Sequence, residues 1–388
     1  MQKRTEFLPF SPPALSEEEV QAVTQVLREG NWLSSGPRTK SFELKFQEKV
    51  QADAALALNS CTAGLHLAMV IHGIQPGDEV ITTPMTFTAS ANVVEHERGT
   101  LVLADIDPDT LLISPTEIEK KISSKTKIIM PVHYAGHPAD MPVIDAMAKA
   151  KGIKVVEDAA HCLPSMIGDK PVGSSQNLTM FSFYATKNIT TGEGGMMTGA
   201  KELVERARVL ALHGMSRDAW NRFAKGGSWR YDVERPGYKY NLTDIAAALG
   251  LVQLQRLDEL FARRMALVEF YEAAFKNHPH LVPLKTKAGF QSSRHLYVIQ
   301  LNLETLTIDR DQFMVELSER NIGTSVHYQP VHMMSYYAKK YNWKPESFPN
   351  ANRAFPRMLS LPLSSKLTLE DAGDVVTAVN EICAKFKR

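Results

Sequence analysis

The sequence is poor in cysteine, has almost no net charge and contains no long apolar run. Its 388 residues include 3 cysteines, Cys61, Cys162 and Cys383, which form neither a CxxC pair nor a zinc-binding spacing. This argues against a disulfide framework and indicates a reducing compartment. The 44 Lys and Arg residues nearly balance the 43 Asp and Glu residues, so the charge favours neither nucleic acid nor a membrane surface as a partner. Residues 1–10 lack an apolar signal core, and no apolar run approaches membrane-spanning length. We therefore predict a soluble, cytoplasmic protein.

Two common nucleotide-binding signatures are also missing. The sequence contains neither a GxGxxG nor a Walker A pattern, so it carries no standard dinucleotide or P-loop site. It also has no internal repeat and no low-complexity tract. A chain of 388 residues is too long for one small core, and we expect two domains.

Strand and helix patterns alternate through the first two thirds of the chain. This βαβ rhythm is typical of a mostly parallel sheet covered by helices on both faces. We predict a large α/β domain at residues 1–260, which includes an extended arm at residues 1–15. Residues 261–388 show a different order of elements and predict a smaller α+β domain, with one of its strands at residues 324–328.

Helix signals refine this outline. Ser16 and Glu19 form a capping-box pattern that predicts the start of the first helix. Thr243 is the expected cap of a long helix that continues past Phe270. The pair Arg263 and Arg264 is expected on the solvated face of that helix.

The clearest chemical signal surrounds Lys187. An apolar and aromatic strand pattern at residues 178–184 leads to this lysine, and the sequence Gly192-Glu193-Gly194-Gly195 follows it. A lysine that points into water at such a place has no special role, and this is the ordinary case. A lysine that points into a pocket loses its proton more readily and becomes a nucleophile.

A second apolar strand pattern ends at Asp158, and His161 follows it. Because open α/β sheets bind ligands beyond the carboxyl ends of their strands, Lys187 and Asp158 are expected at one edge of the sheet. A lysine that bonds an aldehyde and an aspartate that keeps a pyridine nitrogen protonated are the protein half of a pyridoxal phosphate (PLP) site. The sequence therefore predicts PLP as the cofactor.

Other candidate positions each have two interpretations. Residues 59–64 are either an anion site at a helix start or an ordinary helix cap. Phe87 either lies in the core or stacks on a flat cofactor, and Trp32 either packs or flanks a ligand. His327 and His332 either line a cleft or are structural, and their spacing without acidic neighbours predicts no metal site.

One polar stretch, residues 213–240, is too long for a simple connector. It contains two glycine-bearing turns and the aromatic residues Trp220, Trp229 and Tyr231. We expect a lid or an oligomer contact there.

Taken together, these residues resemble the DegT/DnrJ/EryC1/StrS family of sugar-nucleotide aminotransferases, which are fold-type-I PLP enzymes. The resemblance covers nearly the whole chain. It is carried, in order, by residues 32–37, 59–65, 84–88, 132–136, 157–161, 181–188 with 192–195, 236–241 and 326–328. It implies a large domain with a mostly parallel seven-stranded sheet between helices, and a smaller C-terminal α+β domain. Residues 132–136 and 236–241 are most similar to members that aminate a UDP-4-keto-pentose.

The resemblance implies a role for each matched residue around the cofactor. Lys187 is the Schiff-base lysine and the proton shuttle, Asp158 pairs with the pyridine nitrogen, and His161 lies beside the ring. Phe87 stacks on the ring face, where the UDP-pentose members have tryptophan. The remaining matched residues hold the cofactor phosphate, and they are Thr62, Ala63, Ser182 and, toward the cofactor of the partner subunit, Asn241.

The implied reaction is a ping-pong transfer of an amino group to the 4-keto carbon of a nucleotide-linked sugar, with UDP as the expected carrier. The amino donor is L-glutamate, which leaves as 2-oxoglutarate. Trp32, His327 and Tyr328 are expected to bind the substrate. The protein is expected to be a homodimer with shared active sites that acts in lipopolysaccharide or other glycan biosynthesis. The sugar and the pathway stay open.

Three alternatives to a sugar-nucleotide aminotransferase are considered. The first is a relative that dehydrates the sugar, but such relatives carry histidine where this chain has Lys187, so the lysine argues against that class. An amino-acid aminotransferase or an acyl-CoA-using fold-type-I enzyme is the second alternative, and the former would use an arginine such as Arg353 or Arg357 for the substrate carboxylate. The third is a non-catalytic relative that keeps the fold.

Overall fold

The computed structural model describes residues 4–215, 232–233 and 235–388. In this part of the chain, seven strands form one large sheet. These strands are β1 (Ala54–Leu58), β2 (Glu79–Thr82), β3 (Thr100–Leu103), β4 (Thr126–Ile129), β5 (Lys154–Asp158), β6 (Leu178–Ser182) and β7 (Gly195–Gly199).

The large sheet has the strand order β1-β7-β6-β5-β4-β2-β3. The pairs from β6 to β3 are parallel, and β7 runs antiparallel to both β1 and β6. The predicted mostly parallel seven-stranded sheet is therefore confirmed. The carboxyl ends of β5 and β6 lie side by side at one edge, because Asp158 is in register with Met180.

Helices cover both faces of this sheet, and others accompany the C-terminal strands. They are α1 (Glu17–Glu29), α2 (Pro37–Lys49), α3 (Cys61–Ile71), α4 (Thr88–His96), α5 (Pro115–Lys121), α6 (Met141–Lys151), α7 (Lys201–Ala211), α8 (Asp244–Gln255), α9 (Leu257–Phe275), α10 (Arg310–Ser318), α11 (Ser335–Tyr341), α12 (Pro349–Ala354) and α13 (Leu369–Phe386).

Side-chain alternation explains why the strands read as unbroken apolar runs. Met180 of β6 packs on the face shared with α3, whereas the next residue, Phe181, packs on the opposite face near α2 and α8. Val156 and Val155 of β5 divide between two cores in the same way. A strand with both faces buried has no polar side to show in its sequence.

The C-terminal part contains a smaller antiparallel sheet of β8 (Leu281–Pro283), β9 (Tyr297–Leu301) and β10 (Met358–Leu361). Its core includes Tyr271, Phe313 and Val379 from the flanking helices. The N-terminal arm adds Leu8 to this core, since the Leu8 N–H donates to the Asn321 carbonyl at 2.8 Å. A short ribbon pairs residues 166–167 with 170–171 and 290–291.

The predicted strand at residues 324–328 is wrong. Only Ser325 pairs there, in an isolated bridge to Ser360. The chain then leaves the sheet, and the His327 carbonyl accepts a hydrogen bond from Tyr134 Oη and not from a neighbouring strand.

The predicted long helix is also interrupted. It is divided into α8 and α9 at Arg256 (φ −87°, ψ 0°), whose guanidinium bonds Glu19 of α1 at 2.7 Å. The break lets α8 pack against α1 and α2 while α9 packs against α13. The predicted domain division after residue 260 falls within α9 and stays a prediction.

The prediction that Arg264 lies on the solvated face of this helix is also wrong, because Arg264 is buried. Its Nη1 donates to the carbonyls of Arg294, His295 and Leu363 at 3.1–3.3 Å, and burial lowers its pKa to about 10. Adjacent helical residues point about 100° apart, so Arg263 faces outward and pairs with Glu259 while Arg264 faces inward. Within the part of the chain that the structure describes, no helix combines the length and apolar character of a membrane span.

Candidate active site

A cavity of about 470 Å³ lies where the carboxyl ends of β5 and β6 meet the N-terminus of α3. This is the place where open α/β sheets bind ligands. The predicted site residues that line it are Thr62, Phe87, Asp158, His161, Ser182, Lys187, His327 and Tyr328. A larger surface depression of about 810 Å³ between α9 and β8 contains none of the predicted residues.

Two groups of lining residues differ in origin. The sheet wall consists of Thr62, Asp158, Ser182 and Lys187, which follow strands of the large sheet or open α3. The C-terminal wall consists of His295, His327 and Tyr328. Segments between 58 and 195 therefore supply one wall, and segments after 290 supply the other.

Lys187 lies in the loop after β6, five residues beyond Ser182, and not at the strand end itself. Its backbone N–H donates to the Tyr184 carbonyl at 2.9 Å, which makes a tight turn. Burial lowers the pKa of its amine to about 8, although the carboxylate of Asp158 opposes part of this decrease. An amine with this pKa is available as a nucleophile and as a base near neutral pH.

Asp158 ends β5 and is 5% exposed. Its Oδ2 accepts a hydrogen bond from Ser90 Oγ at 2.7 Å, and its Oδ1 accepts one from the Ala160 N–H at 3.1 Å. Both donors are neutral. A buried carboxylate that faces a cavity with only neutral donors favours a cationic group opposite it, and a protonated pyridine nitrogen is such a group.

The start of α3 forms an anion site beside these two groups. Ser60 caps the helix by accepting from the Ala63 N–H at 3.0 Å, and Thr62 and Ser182 line the same cavity. A Cβ on Gly195 would lie 2.5 Å from the Cys61 nitrogen, so only glycine lets β7 pass this closely. Helix dipole, hydroxyls, carboxylate and amine together fit a phosphorylated pyridine aldehyde.

His161 and Tyr328 form a hydrogen-bonded pair inside the cavity. The Ala135 N–H donates to His161 Nδ1 at 3.3 Å, and His161 Nε2 lies 3.0 Å from Tyr328 Oη. Burial, with the nearby Lys187 and His327, lowers the pKa of His161 well below its usual value, so the ring is neutral. Because Nδ1 accepts, Nε2 carries the proton and donates it to Tyr328.

His327 is also held as a neutral ring. Its Nδ1 lies 2.9 Å from Ser360 Oγ, and burial together with the charge of Lys187 lowers its pKa to about 4. Phe87 is 58% exposed and its ring centroid lies 5.7 Å from that of Tyr328. Phe87 is therefore not a core residue.

His295 lines the cavity but was missed in the sequence analysis. Its ring centroid lies 4.4 Å from that of His161. Its Nδ1 is 3.1 Å from Asn188 Oδ1, and the Asn188 amide nitrogen donates to two backbone carbonyls, so His295 must be the donor. Its only sequence signal is a histidine just before the apolar strand β9.

Four candidate residues, Ala63, Asn241, Trp32 and His332, do not line the cavity of their own chain. Ala63 uses its N–H for the Ser60 cap. Asn241 Nδ2 donates to Ser35 Oγ at 2.7 Å. Ser35 lies on the loop that also carries Trp32, which is 46% exposed. His332 is buried with Nε2 at 2.8 Å from Asn352 Oδ1, outside the cavity lining.

Part of the stretch at 213–240 lies outside the described residues. Trp220, Trp229 and Tyr231 belong to that part, so the expectation of a lid or an oligomer contact stays a prediction.

The fold and the fit of the cavity to PLP put this protein among the fold-type-I PLP-dependent aminotransferases. The model of the DegT/DnrJ/EryC1/StrS aminotransferase family matches residues 13–380, and the chain belongs to this family.

Proteins of known name and structure show the same relationship. The chain is 46% identical over 384 residues to the spore coat polysaccharide biosynthesis protein SpsC of Bacillus subtilis, covering 98% of each chain. It superposes on Spr1654 of Streptococcus pneumoniae in its PMP form with a TM-score of 0.91, at 35% identity and with 97% and 99% of the two chains covered. That protein has also been solved in a PLP form. PseC of Helicobacter pylori, an aminotransferase of pseudaminic acid biosynthesis, gives a TM-score of 0.89 at 30% identity, with 98% and 100% covered.

Proposed function

We propose that this sugar aminotransferase moves the amino group of L-glutamate to the 4-keto carbon of a nucleotide-linked sugar, with UDP as the carrier, in two half-reactions. The observation that carries this proposal is the single cavity in which a lysine of lowered pKa, a buried aspartate and a wall of neutral histidine and tyrosine meet. A cytoplasmic location stays a prediction from cysteine usage.

Lys187 supplies the proton transfers in this proposal. PLP, when bound, supplies an aldehyde that bonds amines and a ring that accepts electrons. With a pKa of about 8, roughly a tenth of the Lys187 amine is neutral at pH 7, against roughly one in 3,000 for an ordinary lysine. Lys187 Nζ can therefore take a proton from the donor and return one to the acceptor.

Asp158 and the start of α3 would hold the cofactor. Asp158 would pair with the ring nitrogen, and its orientation is fixed by Ser90 and by the backbone of Ala160. Thr62, Ser182 and the helix N-terminus would hold the phosphate. None of these contacts would use the amine of Lys187, which lines the same cavity.

The C-terminal wall supports a sugar as the amino acceptor. His327 and Tyr328 present neutral hydrogen-bonding groups, which suit the hydroxyl groups of a sugar. Beside Tyr328, Phe87 presents an exposed aromatic face that suits stacking on the cofactor ring. A cavity of about 470 Å³ is within the usual range for a small-molecule site.

The position of two arginines weighs against an amino-acid acceptor. Arg353 and Arg357 line a separate depression with Asp109 and Glu304. Arg357 forms two hydrogen bonds with Glu304 at 2.6 and 2.7 Å. Neither guanidinium is therefore placed to bind the carboxylate of a second amino acid.

The names of the relatives support the substrate class. SpsC is named for polysaccharide biosynthesis and PseC for pseudaminic acid biosynthesis. Both names concern amino-sugar or polysaccharide products, which fits a 4-keto sugar nucleotide as the acceptor.

The location of Asn241 supports a homodimer with shared sites. This residue lies outside the lining of its own cavity and is anchored by Ser35, which lies on the loop that also carries the exposed Trp32. We propose that Asn241 and Trp32 serve the cavity of the partner subunit, Asn241 at the cofactor phosphate and Trp32 at the substrate.

The decisive experiment runs the second half-reaction backward. PLP-loaded protein is mixed separately with UDP-, dTDP- and GDP-linked 4-amino sugars, with 3-amino sugar nucleotides and with L-alanine, L-aspartate and L-glutamate, while the cofactor absorbance is followed. We expect changes with L-glutamate and with one or more 4-amino sugar nucleotides, UDP-linked ones first. Changes with amino acids alone would contradict the proposed acceptor, and changes with 3-amino sugars alone would contradict the position of transfer.

A further inference from the structure

One short turn, Tyr134–Gly136, lies behind the cavity and contacts three segments that carry its histidines. The turn has left-handed backbone at Ala135 (φ 57°) and Gly136 (φ 93°). A Cβ on Gly136 would lie 2.5 Å from Ser293 Oγ and 2.7 Å from the His295 nitrogen. The turn is therefore pressed against the segment that carries His295, and only glycine allows this approach.

The first connection runs from Tyr134 to the backbone of His327. Tyr134 is 1% exposed and does not line the cavity. Its hydroxyl donates to the His327 carbonyl. This carbonyl belongs to the point where the chain leaves its single bridge at Ser325, so no strand ladder holds it.

The second connection runs from the same turn to the side chain of Tyr328. The Ala135 N–H donates to His161 Nδ1, and the proton on His161 Nε2 is then directed to Tyr328 Oη. With one lone pair of Oη occupied by His161, the hydroxyl proton of Tyr328 points away from His161. The turn thus fixes two consecutive residues of the C-terminal wall by independent routes.

Few such links reach the sheet wall. The Asp158 carboxylate accepts from Ser90 and Ala160, and its backbone pairs with Pro131 and His133. Lys187 is held by the Tyr184 carbonyl, and none of these bonds uses the Tyr134 hydroxyl. Loss of the Tyr134 hydroxyl should therefore disturb one wall of the cavity and spare the other.

We propose that Tyr134 is a positioning residue for substrate recognition, because its hydroxyl holds the His327 backbone. Its neighbour Ala135 sets the tautomer of His161. That tautomer turns the hydroxyl proton of Tyr328 toward the bound sugar. This inference rests on the proposed function, because it assigns the C-terminal wall to the sugar.

The test uses Tyr134→Phe, which removes only the hydroxyl. We expect the KM for a reactive 4-amino sugar nucleotide to rise about tenfold, equivalent to about 1.4 kcal/mol, while kcat changes less than about threefold and the Kd for PLP is unchanged. This size is reasonable for the loss of one hydrogen bond to a buried carbonyl.

Tyr271→Phe is the matched control. Tyr271 is also 1% exposed, and its hydroxyl donates to the Pro362 carbonyl at 2.9 Å, outside the cavity lining. Both variants lose a buried hydroxyl-to-carbonyl bond, so both should lower the unfolding midpoint to a similar extent. Only Tyr134→Phe should raise the KM.

Amide hydrogen exchange gives a second measurement that needs no substrate. Peptides covering residues 324–330 should exchange faster in Tyr134→Phe than in wild type or in Tyr271→Phe. Unchanged exchange there would overturn the inference, as would equal KM values in the two variants. If wild type reacts with no amino sugar nucleotide, the proposed function has failed, and the exchange result then decides the positioning role of Tyr134 by itself.

Discussion

The two walls of the cavity are built in different ways. The sheet wall places Asp158 and Ser182 at the ends of adjacent parallel strands, so the backbone ladder between β5 and β6 fixes their separation. The C-terminal wall lies on segments without regular secondary structure, and side-chain contacts from distant parts of the chain hold it.

In the proposed function, this contrast separates chemistry from recognition. Groups that transfer protons must be placed within a fraction of an ångström, and Lys187 is held by a tight turn soon after the end of β6. Segments that recognise a substrate vary more easily when they are loops on a rigid scaffold. We therefore expect changes in the sheet wall to abolish catalysis, and changes in the C-terminal wall to alter substrate binding first.

The largest effect should follow Lys187→Ala. Turnover should fall by more than the roughly 10²–10⁴-fold that a positioned proton-transfer group supplies, because the nucleophilic amine is lost as well. The unfolding midpoint should stay near that of wild type, since the removed amine forms none of the hydrogen bonds of the turn. Turnover and urea unfolding check both points.

Lys170→Ala is the control, because Lys170 is an exposed lysine remote from the cavity. Borohydride reduction followed by mass spectrometry should fix PLP to wild type and to this control at the peptide containing Lys187. Retained trapping at another lysine in Lys187→Ala would show that the assignment is wrong.

A smaller but still large effect is expected for Asp158→Asn. Removing one preorganised electrostatic partner costs about 10²–10³-fold in rate in other enzymes, and we expect a loss of that size. The carboxylate also raises the pKa of Lys187, so its removal should move that pKa further below about 8. Amine labelling of the apoprotein as a function of pH, read by mass spectrometry at Lys187, measures the shift.

Asp145→Asn serves as the control for this charge removal. Asp145 is a partly buried carboxylate that accepts from Asn177 and does not line the cavity. Its variant should leave the labelling profile of Lys187 unchanged. An unchanged or upward-shifted pKa of Lys187 in Asp158→Asn would contradict the proximity of the two groups.

The smallest effect concerns the acid stability of the neutral histidines. Burial disfavours the charged rings of His161, His295 and His327, so their folded pKa values lie below the unfolded value of about 6.5, and that of His327 lies near 4. The unfolded chain binds more protons in this window, so stability should fall as the pH drops from about 6.5 toward 4.

Each such histidine contributes at most about 1.4 kcal/mol per pH unit. Urea unfolding at pH 7.5, 6.5 and 5.5, at one protein concentration, measures the slope. His295→Asn keeps a donor for Asn188 and should show a shallower slope than wild type. Equal slopes would mean that His295 is not held neutral in the folded protein.

Much of the fold could be predicted because its signals are local. The capping box of Ser16 and Glu19 is confirmed, and so is the Thr243 cap. The alternation of strands and helices indicated a mostly parallel sheet, which placed Lys187 and Asp158 at one edge. Each of these conclusions needs only residues a few positions apart and the rule that ligands bind beyond strand ends.

Other features could not be predicted, because they depend on contacts between distant residues. The inward direction of Arg264 is decided by carbonyls at residues 294, 295 and 363. The strand expected at 324–328 does not form, and the His327 carbonyl accepts instead from Tyr134, almost 200 positions earlier. His295 carries no pattern that separates it from a structural histidine.

The sequence by itself determined the class of fold, the cofactor and two residues, Lys187 and Asp158, that line one cavity, since strand patterns and residue chemistry act over short distances. The tertiary structure decided which histidines are neutral, which hydroxyls are donors and how the C-terminal wall is held. Those properties arise from burial and from hydrogen-bond partners, and both exist only when segments far apart in the chain are packed together.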